Sequence, residues 1–241
     1  MRNGDQQFRD CAVAVFARYP RPGFVKTRLI PLLGAQGAAE LQQALLDDAV
    51  FKLQALRGRA KLYLMKTGRA PYLADRAAQL DDLACIVSQR GRDLGERLQR
   101  TFGYLLRRHR SAVVIGTDSP ELSGQAVHRA LEELRWCEAA LGPCPDGGYH
   151  LIGLRRDAWA RNRGRALAGV RWGTAWALRD TLRNLVSAKV SCSLLPPVAD
   201  VDRPADLIAL HRRMSGNARA RRMAPATWRF ISAFDATAPN P

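Results

Sequence analysis

Short apolar runs alternate along the chain with longer segments in which apolar residues recur every three or four positions. Continuous apolar runs are typical of strands buried on both faces, and the periodic segments are typical of amphipathic helices. The runs predict strands over residues 11–17, 61–65, 85–87, 112–116, 137–141, 149–154 and 190–195. The periodic segments predict helices over residues 36–56, 93–109, 121–135, 174–186 and 204–213, with a short helix after Pro71. This alternation predicts an α/β fold with a mainly parallel sheet.

The run at residues 112–116 ends in a loop that begins with Thr117, Asp118, Ser119 and Pro120. Asp118 therefore stands just beyond the carboxyl end of a predicted buried strand, where ligands bind in open α/β sheets. A helix beginning near Pro120 could equally use this carboxylate as its cap. The pattern alone leaves both roles open, a ligand site or a helix cap.

The loop after the first strand has the sequence RYPRPGFVKTRL, residues 18–29. A glycine-containing turn between a strand and a helix exposes backbone N–H groups that can bind an anion. Lys26 and Arg28 add two positive charges near the helix start, where the helix dipole disfavours cations unless an anion joins them. We therefore predict a phosphate-binding loop, although it matches neither the P-loop nor the dinucleotide-binding glycine pattern. A solvated basic loop is the alternative.

Acidic residues follow several predicted strands or turns: Asp118, Asp146 and the pair Asp200 and Asp202. Carboxylates gathered at one sheet edge repel each other unless a cation is present, and oxygen ligands without histidine favour Mg²⁺ or Mn²⁺. A basic loop and an acidic cluster together meet the minimum for metal-assisted transfer at a diphosphate or triphosphate. The alternatives are a turn role for Asp146 and a helix-cap role for Asp202.

The composition is that of an ordinary globular protein. Of the 241 residues, 47% are hydrophobic and 25% are charged, which is enough to bury a core in one domain. Apolar runs stay well below the ~20 residues that span a bilayer, so we expect a cytoplasmic protein. The cysteines lack metal-site spacing, and we predict reduced thiols at Cys11, Cys85, Cys137, Cys144 and Cys192.

The formal net charge of +16 is compatible with nucleic-acid binding. The arginines are scattered, however, and no aromatic-rich RNA-binding signature accompanies them. A phosphorylated small substrate or an arginine-rich background explains the charge equally well. The densest cluster lies in the last thirty residues, at Arg212, Arg213, Arg219, Arg221, Arg222 and Arg229. We predict one domain over residues 11–213 and a loosely attached basic tail over residues 214–241.

Six motifs occur in the order found in a known family. They are PRPGFVKTRL, QRGRDLGERL, VIGTDSPELS, LGPCPDGGYHLIGL, VRWGTAWAL and DVDRPADL. Over residues 11–213 the chain thereby resembles the GT-A-like "transferase 1, rSAM/selenodomain-associated" family. That family is similar to 2-phospho-L-lactate guanylyltransferase and the molybdenum-cofactor guanylyltransferases. The resemblance implies a single-domain nucleotide-diphospho-sugar transferase (GT-A) fold, a mainly parallel mixed sheet with helices on both faces.

The resemblance also implies roles for individual residues. Lys26 and Arg28 would hold nucleotide phosphates and act in catalysis with Asp118, and Asp118 and Asp202 would bind Mg²⁺ or Mn²⁺. The other residues expected at the nucleotide or the acceptor are Thr27, Gln89, Gly91, Asp93, Arg97, Thr117, Ser119, Asp146, Gly147, Gly148, Tyr149 and Trp172.

We therefore expect a metal-dependent nucleotidyltransferase that joins an NTP to a small phosphorylated or hydroxylated acceptor and releases pyrophosphate. A glycosyltransferase that uses a nucleotide-sugar on the same fold is the close alternative. A non-catalytic or nucleic-acid-binding protein is the second alternative, and it would show steep salt dependence without a need for metal. We expect a nucleotide and a small-molecule acceptor as partners, and we expect neither a membrane nor a nucleic acid.

Overall fold

The computed structural model describes residues 10–54, 56, 58–67, 84–162 and 164–235, and the predicted helix after Pro71 lies outside this part of the chain. The strands are β1 Cys11–Ala17, β2 Lys61–Lys66, β3 Ala84–Ser88, β4 Ser111–Ile115, β5 Ala139–Pro143, β6 Tyr149–Arg155 and β7 Cys192–Leu194. The helices are α1 Ile30–Gln54, α2 Leu94–Leu105, α3 Gly124–Glu133, α4 Arg156–Asn162, α5 Ala177–Ser187, α6 Pro204–Ser215, α7 Ala218–Met223 and α8 Pro225–Asp235.

The strands form one mixed sheet in the order β3-β2-β1-β4-β6-β5-β7. Pairs β1–β2, β1–β4, β2–β3 and β5–β7 are parallel, and β6 runs antiparallel to both of its neighbours. The carboxyl ends of all strands except β6 therefore lie at the same edge. The predicted α/β fold with a mainly parallel sheet is confirmed, and the loops after β1, β4, β5 and β7 are brought to one side of the molecule.

Two apolar layers cover the two faces of the sheet because successive strand residues point to opposite sides. Val13 and Val15 of β1 pack with α1 and α3, whereas Ala12 and Ala14 pack with α2 and the segments around α4 and α5. Strand β4 is buried along its whole length, as its apolar run predicts.

Helix α1 begins at Ile30, several residues before the predicted start at residue 36. Gly34 interrupts it with φ 68° and ψ 169°, a backbone conformation open to glycine but rarely to other residues. Thus the basic loop runs through a short 3₁₀ turn, Thr27–Leu29, directly into the first turn of α1. Leu29 at the end of this turn is fully buried and anchors the loop to the domain.

The C-terminal helices α7 and α8 are part of the folded domain. Ala220, Ala224 and Ile231 are buried in a cluster with residues of α1 and α6. Asp48 of α1 accepts hydrogen bonds from the backbone N–H groups of Ala226 (2.9 Å) and Thr227 (2.8 Å) at the start of α8. The expectation of a loosely attached tail is therefore wrong for residues 218–235, because these residues complete a third apolar cluster.

The cysteines are all free thiols, as predicted. In the described part of the chain, the helices are too short or too polar for any of them to traverse a lipid bilayer.

Candidate active site

A cleft of about 470 Å³ opens at the sheet edge where the carboxyl ends of the strands meet. Its walls come from the loops after β1, β3, β4, β5 and β7 and from the loop before α5. Charged side chains of both signs face this cleft, which lies where ligands bind in open α/β sheets.

Lys26 lies between two carboxylates at the base of the cleft. Its Nζ is 2.6 Å from Asp118 Oδ1 and 3.0 Å from Asp202 Oδ1, and it donates a third hydrogen bond to the carbonyl of Val201 at 2.7 Å. The Lys26 side chain is only 4% exposed, whereas those of Asp118 and Asp202 are 47% and 40% exposed. The ammonium is thus covered, and the carboxylates remain open to the cleft.

The electrostatic surroundings favour the charged forms of Lys26 and Asp202. Burial alone would lower the pKa of Lys26, but the Asp118 and Asp202 carboxylates outweigh it and raise that pKa. Burial would likewise raise the pKa of Asp202, but Lys26 and then Arg28 lower it overall. The Arg28 guanidinium is 3.8 Å from Asp202 Oδ2, on the outer side of the pair.

The backbone of Lys26 is held in an unusual conformation. It adopts φ 45° and ψ 40°, the left-handed region that residues with a side chain rarely occupy, and its carbonyl accepts a hydrogen bond from the backbone N–H of Leu29 at 2.8 Å. This turn directs the Lys26 side chain inward, while Arg28 remains 58% exposed. The basic loop thus contains one buried and one exposed cation.

Asp118 is not the cap of the following helix. Ser123 caps α3 and accepts a hydrogen bond from the Ala126 N–H at 3.1 Å. Gln42, which is buried on α1, donates to Thr117 Oγ1 at 3.2 Å, and Thr117 in turn lies 3.5 Å from Asp118 Oδ1. The Asp118 carboxylate therefore faces the cleft with polar support behind it.

Asp202 is not a helix cap either. Arg203 occupies the cap position of α6, and Asp206 accepts from the backbone N–H groups of both Arg203 (2.8 Å) and Asp202 (3.1 Å). The backbone carbonyl of Asp118 accepts from the Val201 N–H at 2.9 Å, which joins the two acidic loops. Both carboxylates are thereby free to face the cleft.

A second acidic group lies beside this triad. One ligand atom each from Cys144, Asp146 and Asp200 falls within 4.8 Å of the others. Burial, followed by the charges of Asp146 and Asp202, raises the pKa of Asp200 to about 6. Burial raises the pKa of the Cys144 thiol to about 12, so this sulfur is protonated and a poor donor for a hard cation.

Aromatic side chains also line the cleft. Tyr149 and Trp172 meet edge to face, with ring centroids 5.9 Å apart. Gly95 lies against Trp172, and a Cβ at this position would collide with the indole nitrogen. His150 also lines the cleft, and burial lowers its pKa to about 4, so it is neutral at pH 7. This side of the cleft is uncharged and suited to a flat or apolar group.

Most of the predicted site residues meet in the cleft. Its walls include Lys26, Thr27, Arg28, Gln89, Arg97, Thr117, Asp118, Ser119, Asp146, Gly148, Tyr149, Trp172 and Asp202. Three predicted residues lie outside the walls. Gly91 accepts a hydrogen bond from Arg97 Nε at 3.1 Å, Asp93 caps α2 by accepting from the Glu96 N–H at 2.8 Å, and Gly147 shapes the turn before β6 with φ 85°.

Other wall residues were not predicted as site residues. They include Phe16, Arg18, Gln42, Leu94, Cys144 and Thr174, whereas Asp200 in the same wall belongs to the predicted acidic cluster. The sequence could have indicated Gln42, because it lies on the apolar face of α1 with Ala38, Leu41 and Leu45. A buried amide at such a position needs a hydrogen-bond partner. The remaining ones depend on how distant loops meet.

Comparison with known proteins identifies the family. A family described as uncharacterised proteins conserved in bacteria, DUF2064, matches residues 39–174, more than half of the chain. The chain belongs to the DUF2064 family. The matched segment of this DUF2064 chain includes Asp118 and Asp146, whereas Lys26 and Asp202 lie on either side of it.

Solved structures extend the likeness to the whole chain. A Desulfovibrio desulfuricans G20 protein, provisionally assigned as a nucleotide-diphospho-sugar transferase, is 31% identical, with a TM-score of 0.82 over 95% of this chain and 96% of its own. The inositol-1-phosphate CTP transferase of T. maritima shares the fold at 10% identity and a TM-score of 0.55, over 97% of this chain and 99% of its own.

A third solved structure is the glucosyl-3-phosphoglycerate synthase of Mycobacterium tuberculosis, in complex with Mn²⁺, UDP and glucosyl-3-phosphoglycerate. It is 11% identical, with a TM-score of 0.53 over 95% of this chain and 82% of its own. No curated protein sequence matches the chain. This DUF2064 protein therefore has the nucleotide-diphospho-sugar transferase fold, as the six motifs imply.

Proposed function

We propose that this DUF2064 protein is a divalent-metal-dependent nucleotidyltransferase. It joins an NTP to a small phosphorylated or hydroxylated acceptor and releases pyrophosphate. The observation that carries the proposal is the convergence of Asp118 Oδ1 and Asp202 Oδ1 on one point, where both contact the Lys26 ammonium within 3.0 Å. Two carboxylates and a lysine at the ligand edge of this fold suit a reaction at phosphate.

The donor set fits a hard divalent cation. Asp118 and Asp202 offer carboxylate oxygens, and the Lys26 ammonium between them is a stand-in that marks where positive charge is stabilised. Mg²⁺ or Mn²⁺ held there would neutralise phosphate charge and orient the α-phosphate. The neighbouring group with Cys144 is a poorer fit, because Mg²⁺ and Mn²⁺ prefer oxygen ligands to sulfur.

The residues of the basic loop bind the phosphates in this proposal. Arg28 is 58% exposed beside the carboxylates and can form charge-assisted hydrogen bonds to a β- or γ-phosphate. Thr27 and Arg18 line the same wall. The positive charges of Arg28 and Arg18 stabilise the negative charge of the leaving pyrophosphate, so the loop supplies positioning and charge stabilisation.

The aromatic wall receives an uncharged group. Tyr149 and Trp172 offer ring faces and edges to a base or to the acceptor, and Gln89 and Arg97 also line the cleft. An acceptor oxygen held in line attacks the α-phosphorus, and the bond to the pyrophosphate oxygen breaks. No covalent intermediate with the protein is required, since catalysis rests on positioning and charge.

Glycosyl transfer from a nucleotide-sugar is the second candidate. The observation that favours it is the shared fold of the glucosyl-3-phosphoglycerate synthase, whose structure contains Mn²⁺ and UDP. That reaction would use the same carboxylates and loop, but the leaving group would be a nucleoside diphosphate. The identity of the released product therefore separates the two candidates.

The test is an incubation of the protein with each of the four NTPs and with several nucleotide-sugars, in Mg²⁺ or Mn²⁺, over a panel of small acceptors. Acceptor-dependent release of pyrophosphate supports the proposal, and release of nucleoside diphosphate supports glycosyl transfer. Asp118→Asn should remove either signal. Glu132→Gln, on the outer surface of α3, is the matched control and should keep it. Release that persists in Asp118→Asn contradicts the proposed site.

A further inference from the structure

We propose that Lys26 is an internal competitor of the divalent cation at this site. The inference rests on the proposed function, because it takes Asp118 and Asp202 as the residues that hold the cation. It adds that the lysine ammonium and the cation cannot occupy the carboxylate pair together. Lys26 thereby controls when the cation binds.

The geometry of the triad carries the inference. Lys26 Nζ contacts Oδ1 of Asp118 at 2.6 Å and Oδ1 of Asp202 at 3.0 Å, so the inward oxygen of each carboxylate already has a cationic partner. A Mg²⁺ ion requires oxygen ligands at about 2.1 Å in a nearly octahedral arrangement. A cation that used these two oxygens would lie within van der Waals distance of the ammonium, where both sterics and charge repulsion exclude it.

Lys26 is more buried and has more hydrogen-bond acceptors than a lysine in a surface ion pair. Its side chain is 4% exposed, and a third hydrogen bond to the Val201 carbonyl at 2.7 Å satisfies the remaining donor. The left-handed backbone of Lys26 directs the side chain inward. The ammonium therefore has three acceptors in its present position, and leaving it requires another set of acceptors.

Arg28 does not compete in the same way. Its guanidinium lies 3.8 Å from the other oxygen of Asp202, Oδ2, and the side chain is 58% exposed. Removing the charge of Arg28 alters the electrostatic potential at the site, but Lys26 still contacts Oδ1 of Asp118 and Oδ1 of Asp202. Arg28 is therefore a charge-matched control for Lys26.

The consequence is a coupling between the cation and the nucleotide. Lys26 also lines the cleft, where the oxygens of a triphosphate would offer it the acceptors that it loses on leaving the carboxylates. A nucleotide that draws Lys26 away frees the carboxylate pair, so cation and nucleotide favour each other's binding. The cation alone must displace Lys26 without such compensation and binds weakly.

The test measures binding of Mn²⁺ alone to the full chain, followed by the electron paramagnetic resonance signal of free Mn²⁺. We expect Lys26→Met to bind Mn²⁺ at least about ten-fold more tightly than the wild type, and Arg28→Met to change the affinity by less than about three-fold. Equal changes in the two variants would overturn the inference, because they would show a general effect of charge.

The outcomes also separate this inference from the proposed function. If the wild type binds Mn²⁺ as tightly as Lys26→Met and Asp118→Asn abolishes the binding, the metal site stands and the competition is refuted. If neither the wild type nor Lys26→Met binds Mn²⁺, both the metal assignment and the competition fail.

A measurement on the wild type covers the case in which Lys26→Met does not fold. Lysine acetylation followed by mass spectrometry reports whether an ammonium is accessible, and the buried Lys52 provides the internal reference. We expect saturating Mn²⁺ to raise the acetylation rate of Lys26 relative to Lys52, compared with sodium chloride of equal ionic strength. An unchanged ratio refutes the displacement of Lys26.

Discussion

At the scale of single residues, the account depends on how the two cations of the basic loop differ. Lys26 is buried between carboxylates, and Arg28 is exposed at the rim. The sequence predicts that both contact phosphate and does not distinguish them. The structure does distinguish them, since loss of Lys26 leaves two carboxylates facing each other without a cation between them.

Arg28→Ala should weaken nucleotide binding without loss of stability. A charge-assisted hydrogen bond to phosphate contributes roughly 1.5–3 kcal/mol, which corresponds to about a 10- to 150-fold loss of affinity. Calorimetry with the best-bound NTP and Mn²⁺ measures the loss. Arg21→Ala is the control, because Arg21 stacks on Phe24 in the same loop and does not line the cleft. Unchanged affinity in Arg28→Ala would contradict the phosphate-binding role of the loop.

The location of the site residues could be predicted from the sequence, but their contacts could not. The strand and turn pattern correctly brings Lys26, Asp118 and Asp202 to one edge. Because only the fold decides which side chains meet across that edge, the sequence does not predict that Lys26 pairs with both carboxylates. The expected repulsion between the carboxylates is therefore relieved within the chain itself.

Lys52 provides a pH-dependent test of how the loop that carries Asp118 is held. It is buried on α1 and donates to the Pro120 carbonyl at 2.6 Å, with Asp48 and Glu121 as its charged neighbours. Burial lowers its pKa from 10.5 to about 8, so the unfolded chain binds the proton more tightly. The free energy of unfolding contributed by Lys52 therefore rises between pH 8 and pH 10.5, by an amount on the order of 3 kcal/mol.

The measurement is urea unfolding of the wild type and of Lys52→Met at several pH values. Subtracting the free energy of unfolding of the variant from that of the wild type at each pH removes the contribution of cysteines and tyrosines that titrate in the same range. We expect the wild type to gain stability relative to Lys52→Met as the pH rises from 8 to 10. A difference that stays constant with pH would show that Lys52 keeps an ordinary pKa.

At the scale of elements, the strands were predicted better than the helix starts. Continuous apolar runs locate strands such as β1 and β4 to within a residue, because burial on both faces leaves few alternatives. Helix α1 begins before its interruption at Gly34, and α3 begins after its cap Ser123, local features that the apolar period does not report. Ser123 caps α3, which excludes the cap role for Asp118.

Helix α8 is joined to α1 by the Asp48 carboxylate in addition to their apolar contacts. Asp48 is 1% exposed and accepts from two backbone N–H groups at the start of α8. Asp48→Ala removes the acceptor of the buried Thr227 N–H and of the half-buried Ala226 N–H, so we expect a loss of about 3 kcal/mol in the free energy of unfolding. Asp47→Ala, a half-buried neighbour on the same helix, should lose less than half as much. Equal losses would refute the capping role of Asp48.

At the scale of the whole molecule, the C-terminal helices close the side of the domain next to the cleft. Ala220, Ala224, Thr227 and Ile231 are buried at helical spacing, but their small size and the surrounding arginines conceal this pattern in the sequence. They cover Leu41 and Leu45 of α1, the helix that also carries Gln42 behind Asp118. The C-terminal segment thus supports the site indirectly.

Truncation after Gly216 should therefore destabilise the protein. It removes α7 and α8, exposes the third apolar cluster and removes both hydrogen-bond donors to Asp48. We expect the melting temperature to fall by roughly 10 °C, measured by circular dichroism. A truncated chain that melts like the wild type would show that these helices contribute little, as a separate tail would.

The central claim is that Asp118 and Asp202 hold a divalent cation together with the nucleotide. The most direct test is thermal protection by NTP, measured with and without Mn²⁺ in the wild type, Asp118→Asn, Asp202→Asn and the double variant. Because ligands stabilise the native state that binds them, we expect protection of the wild type only when Mn²⁺ is present. Each single variant should lose this protection, and the double variant should be no worse than either. Manganese-dependent protection that persists in Asp118→Asn would contradict the claim.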